Sequence, residues 1–352
     1  MVRRSARSVP AAAVGVLLAA CSVAPAPFAP PGPVTGSTGS ATGSTGSATG
    51  SASASRPGGE VRAVRLPEGA FPRYPAVGPD GAVWCTESSG EAMARVGADG
   101  TVTHVRLPGG TGGPDGVVRG PDGLMWYTAH QVVGRITTDL RPSGWSGGPL
   151  GYPAAPTAGP DGAIWFTNET NPPAISRISA AGALTHHRFD PGGENPYLSG
   201  IAAGPDGALW FTENFMIVDG PHGIGRMTTD GEYRRWVLPA TSANPRRIVA
   251  GPDGALWFTT ARGLGRITVA GAITEFPTPP GAEPFDLTAG ADGALWFTTD
   301  ERSIGRLTTS GEMTLHPIEG AEQLIGITAA RDGTLWIADG EADTLWRYTP
   351  AR

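Results

Sequence analysis

The sequence contains no lysine, so each of its 26 basic residues is an arginine. Without a lysine amine, the chain can form neither a Schiff base with a carbonyl substrate nor a phosphate-binding P-loop. Cysteine is nearly absent: Cys21 and Cys85 are its two occurrences, which excludes a framework of several disulfides. The formal net charge is −6 without a basic cluster, so nucleic acid is not an expected partner.

The chain also lacks an apolar run long enough to span a bilayer. Three arginines among the first seven residues precede a short apolar segment, residues 11–20, which ends at Cys21. This order is typical of a secretory signal peptide. The residues Leu-Ala-Ala-Cys resemble a bacterial lipobox, which implies a lipoprotein signal peptide over 1–21 and lipidation of Cys21. An ordinary signal peptide with a chance cysteine is the alternative.

A stretch poor in large apolar residues follows. Residues 22–59 are rich first in Pro and Ala and then in Gly, Ser and Thr. Such a segment cannot bury enough apolar surface to fold, so we expect a disordered linker. The folded domain should therefore comprise residues 60–352. We expect it to be extracytoplasmic, contacting the bacterial cell membrane through the lipid anchor alone.

One phrase recurs seven times in this domain: Asp-Gly, two further residues, then Trp. Its spacing of about 40 residues is typical of β-propeller blades. No stretch of the domain has sustained helical periodicity. The seven tryptophans are Trp84, Trp126, Trp165, Trp210, Trp257, Trp296 and Trp336.

Each repeat has the pattern of four short strands. In the fifth repeat we expect strands over 248–250, 255–259, 264–268 and 272–276. The Asp-Gly pair should form the hairpin turn after the first of these strands, because Gly supplies the positive φ that the turn requires.

The two ends of the domain complement each other. The last repeat ends after three predicted strands, whereas residues 61–66 resemble a fourth strand. We therefore predict an all-β, seven-bladed β-propeller with four-stranded antiparallel blades, in which the N-terminal strand closes the last blade. Closure leaves no free edge for another chain to extend, and we expect a monomer.

Most repeated residues are predicted to be structural. The tryptophans should pack between blades, and Cys85 should be a small buried residue. An arginine also recurs on every third strand. It should bond turn carbonyls or the turn aspartates, although a ring that binds anions is the alternative. These arginines are Arg95, Arg135, Arg177, Arg226, Arg266, Arg306 and Arg347.

Binding chemistry is expected on one face of the ring, which we call the mouth. It carries the loops between second and third strands and the links into each next blade. These loops vary in length here, as binding loops on a fixed scaffold do. The longest, residues 213–222, is predicted to form a lid or a pocket wall.

Polar and aromatic side chains predicted to face the mouth supply the candidate site. His130 and His222 are the candidates to move a proton or, with carboxylates, to hold a divalent cation. A solvated rim is the alternative for the whole set. The candidate ligand-binding residues are Arg73, Tyr74, Glu87, Asp115, Asn168, Glu213, Arg246, Arg247, Phe285 and Asp286.

The repeat as a whole, with GPDGALWFTE, IGRITTDG and a following P-x-x-I-x-x-G, resembles the virginiamycin B (streptogramin) lyase family over residues 60–350. The resemblance implies a C–O lyase that opens a cyclic depsipeptide antibiotic by elimination at its ester, without water. A His would act as general base, and Mg²⁺ held by carboxylates would polarise the carbonyl.

This sequence departs from the family pattern at the implied active site. Phe285 stands at the first family His, and Ile325 at the general base. The resemblance places Mg²⁺ at Glu322 (or its neighbour Gln323), Asp339 and Glu341. Since neither Phe nor Ile can accept a proton, these positions cannot supply the family's base.

Two functional hypotheses follow. The first is a tethered binding propeller whose mouth captures a small molecule, glycan or peptide. The second is a divergent Mg²⁺-dependent C–O lyase, or a hydrolase, that acts on cyclic depsipeptides or related esters with relocated residues.

Overall fold

The computed structural model describes residues 59–109, 112–146, 150–192, 195–215, 221–242 and 244–351. The predicted signal peptide with Cys21, and the linker up to residue 58, lie outside these ranges. Across the described ranges there is no helix with the length and apolarity needed to cross a membrane.

The described residues form seven four-stranded antiparallel sheets, which are the blades of a β-propeller. Blade one contains β2 (Ala76–Val77), β3 (Val83–Glu87), β4 (Ala92–Val96) and β5 (Val102–Arg106). Blade two contains β6 (Pro114–Arg119), β7 (Met125–Ala129), β8 (Val132–Ile136) and β9 (Pro142–Ser146). Blade three contains β10 (Tyr152–Ala158), β11 (Ile164–Glu169), β12 (Ala174–Ile178) and β13 (Leu184–Arg188).

The remaining blades repeat this order. Blade four contains β14 (Tyr197–Ala203), β15 (Leu209–Asn214), β16 (Gly223–Met227) and β17 (Tyr233–Val237). Blade five contains β18 (Ile248–Ala250), β19 (Leu256–Thr260), β20 (Gly263–Ile267) and β21 (Ile273–Pro277). Blade six contains β22 (Pro284–Ala289), β23 (Leu295–Thr299), β24 (Ser303–Leu307) and β25 (Met313–Pro317). Blade seven contains β26 (Leu324–Ala329), β27 (Leu335–Asp339), β28 (Thr344–Thr349) and β1 (Glu60–Arg65).

The first strand closes the last blade, as predicted. The first strand, β1, pairs antiparallel with the last, β28, in a register from Glu60↔Thr349 to Arg65↔Thr344. The loop of blade seven also holds the chain that leaves β1, because the carboxylate of Asp343 accepts the backbone N–H groups of Gly69 and Phe71. The two ends of the domain therefore belong to one sheet.

In blades three to six, the Asp of the Asp-Gly turn accepts hydrogen bonds from both the repeated Trp and the repeated Arg. In blade five, Gly254 has a φ of +73°, which a residue with a Cβ rarely adopts. The carboxylate of Asp253 accepts hydrogen bonds from the indole of Trp257 at 3.0 Å and from Arg266 at 2.6 Å.

The predicted bond between third-strand Arg and turn Asp is present in five blades. The pairs are Arg95–Asp80, Arg177–Asp161, Arg226–Asp206, Arg266–Asp253 and Arg306–Asp292. Burial alone would raise the pKa of Asp253, but the hydrogen bonds from Trp257 and Arg266 outweigh it and lower that pKa below its usual value. These arginines are thus structural residues.

The core lies between neighbouring blades, where the repeated tryptophans pack. Trp84 belongs to a buried cluster that includes Met93 of blade one and Val117 of blade two. Within a blade, the second-strand Trp also stacks on a fourth-strand ring, as Trp210 does on Trp236 at a centroid distance of 5.0 Å. Cys85 is fully buried, and burial raises the pKa of its thiol, as expected of a packing residue.

Candidate functional site

A cavity of about 290 Å³ opens at the mouth, over the central axis. Residues at the start of first strands form most of its wall. Side chains from all seven blades therefore meet there. The residues that line it are Tyr74, Asp115, Ala154, Tyr197, Leu198, Ser199, Asn214, Arg246, Arg247, Phe285 and Ile325. A second cavity of about 220 Å³ shares Tyr74 and Arg247 with it and includes Asp286.

Arg247 is the charged residue at the junction of the two cavities. Its guanidinium carbon lies 3.6 Å from the centroid of the Tyr74 ring, and its Nη1 donates to the Ser199 carbonyl at 3.1 Å. An arginine that lies flat on an aromatic ring keeps its in-plane N–H groups available for a further acceptor. Arg247 is therefore suited to bind a carbonyl or carboxylate oxygen of a ligand.

Asp286 lies in the second cavity, within electrostatic reach of Arg247. Its carboxylate accepts the backbone N–H groups of Leu287 at 2.9 Å and Ile327 at 3.0 Å. Burial raises the pKa of Asp286, and the Arg247 charge and these two N–H groups oppose that rise. The carboxylate thus joins blades six and seven and balances the charge of Arg247.

A second arginine at the mouth repeats this arrangement. Arg246 lies over the Phe285 ring, with its guanidinium carbon 4.7 Å from the centroid. It also forms an ion pair with Glu283. Both arginines of the cavity therefore contact an aromatic ring and have a carboxylate close by.

A third aromatic ring lies beside two carboxylates. Tyr197 lines the cavity and is 47% exposed, and its hydroxyl interacts with Glu169. Burial, followed by the negative charge of Asp115, raises the pKa of Glu169, and the interaction with Tyr197 lowers it. Burial and the charges of Glu169 and Asp115 raise the pKa of the Tyr197 phenol. The wall formed by blades two to four is therefore acidic.

Several predicted mouth residues lie inside the blades instead. Glu87, Asn168 and Glu213 occupy one repeated position, three residues after the Trp, where the side chain is buried. Asn168 accepts the Gly151 N–H at 3.0 Å and donates to Ser176. The next residue of blade three, Glu169, is half-buried and interacts with Tyr197, which lines the cavity.

Glu87 and Glu213 are both paired within their own blades. The Glu87 carboxylate lies 2.7 Å from Nδ1 of His104. Glu213 accepts the Tyr233 hydroxyl at 2.6 Å and lies 2.6 Å from Nε of Arg235. Burial raises the pKa of Glu213, and these partners oppose the rise. Such pairs support the sheet and are not directed at a ligand.

Neither candidate histidine lines the mouth cavities. His222 is 4% exposed, and its Nδ1 accepts the Phe215 N–H at 3.2 Å, so it fastens the ends of the blade-four loop. His130 is exposed on the rim, edge-on to Tyr152 at 4.9 Å between ring centroids. Residues 216–220 of that loop, the predicted lid or wall, lie outside the described ranges.

The predicted Mg²⁺ residues do not fit a metal site. Asp339 is fully buried, and its two oxygens accept backbone N–H groups of Glu322, Gln323 and Ala342 and the indole N–H of Trp346. The side chains of Glu322 and Glu341 are exposed. Within the described ranges, no three His, Cys, Asp or Glu side chains are grouped to hold a metal ion.

Of the other predicted residues, Tyr74, Asp115, Arg246, Arg247 and Phe285 line the mouth cavity. Arg73 is exposed and lines neither cavity. The prediction omitted Glu169, Tyr197 and Asn214. Two of them could have been found from the sequence, because Glu169 directly follows the predicted Asn168 and Asn214 directly follows the predicted Glu213.

Phe285 and Ile325 both line the cavity. These are the positions at which the resemblance places the two histidines of the family. The cavity wall is therefore apolar at the points where the family pattern has a proton acceptor.

A family model and solved structures both match this chain to one family. The sequence model of the virginiamycin B lyase family matches residues 23–145 and 147–351. A selenomethionine-substituted virginiamycin B lyase from Staphylococcus aureus is 32% identical, with a TM-score of 0.74, over 82% of this chain and 98% of that one. No curated protein sequence matches this chain.

Two further solved structures are similar. A catalytically inactive histidine-to-alanine variant of the Staphylococcus aureus lyase, with quinupristin, is 33% identical with a TM-score of 0.75, over 82% of this chain and 98% of that one. A streptogramin B lyase is 26% identical with a TM-score of 0.76, over 84% and 98% of the two chains.

Proposed function

Because this chain belongs to the virginiamycin B lyase family, we propose that the mouth of its propeller binds an aromatic, peptide-like small molecule. The observation that carries the proposal is the composition of the mouth cavity. Its wall includes Phe285 and Ile325 at the two positions that the family pattern gives to histidine. The scaffold and the cavity are kept, while these positions offer apolar contact in place of proton transfer.

The size and lining of the cavity agree with such a ligand. At about 290 Å³ it lies at the lower end of small-molecule sites, so it accommodates one or two side chains of a larger molecule. Three aromatic residues, Tyr74, Tyr197 and Phe285, line it, and Tyr197 is 47% exposed. Aromatic surface contacts apolar groups, and Arg247 supplies donors for a ligand carbonyl.

Quinupristin is the probe that tests the proposal, because a related structure contains it. Isothermal titration calorimetry of the full chain with quinupristin should show saturable binding. After prolonged incubation with Mg²⁺, liquid chromatography should recover the ligand intact. Chromatography is needed since elimination opens the ring without a change of mass, whereas hydrolysis adds one water.

Two results would overturn the binding proposal: absence of binding, or ring opening that EDTA abolishes. The second would establish the alternative, a divergent lyase or hydrolase, which family membership favours. In that case the variants His130→Ala, His222→Ala and Glu322→Ala would show which residues act. Turnover unchanged in all three would remove the candidates that the sequence suggested.

We further propose that the chain is a lipoprotein, tethered through Cys21 outside the cytoplasm. The support is the lipobox-like sequence and the linker that follows it. Expression in a bacterial host should place the protein in the membrane fraction with a lipidated N-terminus, detected by mass spectrometry. Cys21→Ser should release it from that fraction; retention of the variant would contradict the tether.

A further inference from the structure

Three exposed aromatic residues occupy one repeated position at the mouth. They are Phe71 at the start of blade one, Tyr152 in blade three and Tyr197 in blade four. Each directly precedes the residue that pairs with the third residue after the repeated Trp. The pairs that define this position are Pro72↔Glu87, Pro153↔Asn168 and Leu198↔Glu213. Because equivalent positions of a propeller lie on one circle around its axis, the three residues belong to one arc of the rim.

This aromatic arc is continuous with the mouth cavity. Tyr197 itself lines the cavity, as do Ala154, two residues after Tyr152, and Tyr74, three residues after Phe71. In blades six and seven the same repeated position carries polar residues, which are Glu283 and Gln323. The rim is therefore aromatic on one side of the cavity and polar on the other.

The exposure of the three rings sets them apart from the rest of the described surface. Phe71, Tyr152 and Tyr197 are 40%, 54% and 47% exposed. In the described part of the chain, the other exposed large hydrophobic side chains are Val237 and Val269. Val237 ends an outermost strand, and Val269 lies in the turn between β20 and β21, on the face opposite the mouth. Exposed aromatic side chains that gather at one place are typical of a binding surface.

Contacts within the protein hold the first two of these residues in place. Phe71 has a φ of +48°, which an aromatic residue rarely adopts. Its N–H donates to Asp343 at 2.9 Å, and its carbonyl accepts the Ser88 N–H at 3.3 Å. The Tyr152 ring lies edge-on to His130, with 4.9 Å between the ring centroids. Residues that are fixed before a ligand arrives lose little conformational entropy when they bind it.

We propose that Phe71 and Tyr152 form an outer subsite, which contacts apolar groups of a ligand whose other part occupies the cavity. The inference rests on the proposed function and extends it, because it assigns the size of the ligand. The cavity of about 290 Å³ accommodates one or two side chains. Rings on the rim beyond it add affinity only for a larger molecule. The ligand class is therefore a peptide-like molecule with several apolar or aromatic side chains.

Calorimetric titration of the full chain with quinupristin, a cyclic depsipeptide with several side chains, tests the inference. Phe71→Ala and Tyr152→Ala should each raise the dissociation constant about fivefold, since each removes one aromatic contact. The double variant should raise it about 25-fold, because contacts on separate blades are nearly additive. Tyr152→Phe should bind as the wild type does, because it keeps the ring that makes the contact.

Val269→Ala is the control, because it shortens an exposed apolar side chain on the face opposite the mouth. Its dissociation constant should equal that of the wild type. If Phe71→Ala does not fold, Tyr152→Ala and Tyr152→Phe provide the test by themselves. Unchanged affinity in the alanine variants, or an equal loss in Tyr152→Phe and Tyr152→Ala, would overturn the inference and leave the proposed function standing. Absence of quinupristin binding by the wild type would overturn both.

Discussion

The guanidinium carbon of Arg247 lies 3.6 Å from the centroid of the Tyr74 ring. The pair brings together the chain that begins blade one and the chain that begins blade five, on opposite sides of the axis. Tyr74 and Arg247 both line the two cavities of the mouth.

Arg247→Met should weaken the binding of quinupristin by about tenfold, because the ligand loses charged donors in a partly desolvated site. Arg73→Met is the matched control. It removes the same charge one residue before Tyr74, from a side chain that lines neither cavity. Calorimetry measures the affinity of both variants for quinupristin. Equal losses of affinity would contradict the assignment of this cavity as the binding site.

Asp339→Ala should lower the free energy of unfolding by about 3 kcal/mol, since three part-buried backbone N–H groups and the buried indole N–H of Trp346 lose their acceptor. Glu341→Gln, an exposed change in the same loop, should have little effect. Denaturant unfolding measures both. If Asp339 is instead a metal ligand, Mg²⁺ will raise the melting temperature of the wild type, whereas we expect no such shift.

The aspartates of the Asp-Gly turns should make the propeller sensitive to acid. In Asp161, Asp206, Asp253 and Asp292 the pKa is lowered on folding, because hydrogen bonds from Trp and Arg outweigh the effect of burial. An aspartate whose pKa is lower in the folded state stabilises the fold when it is ionised. This stabilisation is complete above the unfolded-state pKa of about 3.9, and it is lost as the pH falls through the pKa of the folded state. The melting temperature should therefore decline below about pH 4.

The variant Asp253→Asn isolates one of these groups. It should be less stable than the wild type at pH 7, and the difference should shrink as the pH falls through the folded pKa. Thermal unfolding between pH 2.5 and pH 7 measures the two curves. Parallel curves over this whole range would mean that Asp253 does not contribute through its charge.

Glu169 should have the opposite pH dependence. Because its pKa is raised on folding, its ionisation costs stability as the pH rises through the folded value, and the cost is absent below the unfolded pKa. Glu169→Gln should therefore melt at a higher temperature than the wild type at pH 7, with the gap closing toward pH 4. Glu312→Gln, which changes an exposed glutamate, should show no comparable gap. A lower melting temperature for Glu169→Gln at pH 7 would contradict a net cost of ionising Glu169 in the folded protein.

The sequence predicted the scaffold closely, because its signals are local and repeated seven times. In blade five the second strand was expected over 255–259 and is Leu256–Thr260, and the turn glycine has the positive φ that was expected. The pairing of the first and last strands could be predicted because the last repeat lacks a fourth strand of its own. Alternating strands and Asp-Gly turns depend on neighbouring residues, which a sequence displays directly.

The mouth was predicted less completely, because it depends on register and on contacts between distant blades. In blade three Asn168 is buried inside the blade, whereas the next residue, Glu169, interacts with the cavity residue Tyr197. That shift of one residue separates a structural amide from a candidate ligand contact. The Arg247–Tyr74 contact joins residues far apart in the chain, and no local pattern indicates it.

The pairing of β1 with β28 has a consequence for biosynthesis. The first strand of the domain to be synthesised pairs with the last one. It therefore stays unpaired until all the intervening blades have been synthesised. Until then blade seven is incomplete and the ring stays open. The mouth cavity, whose wall includes residues of all seven blades, therefore forms only after the last strand has been synthesised.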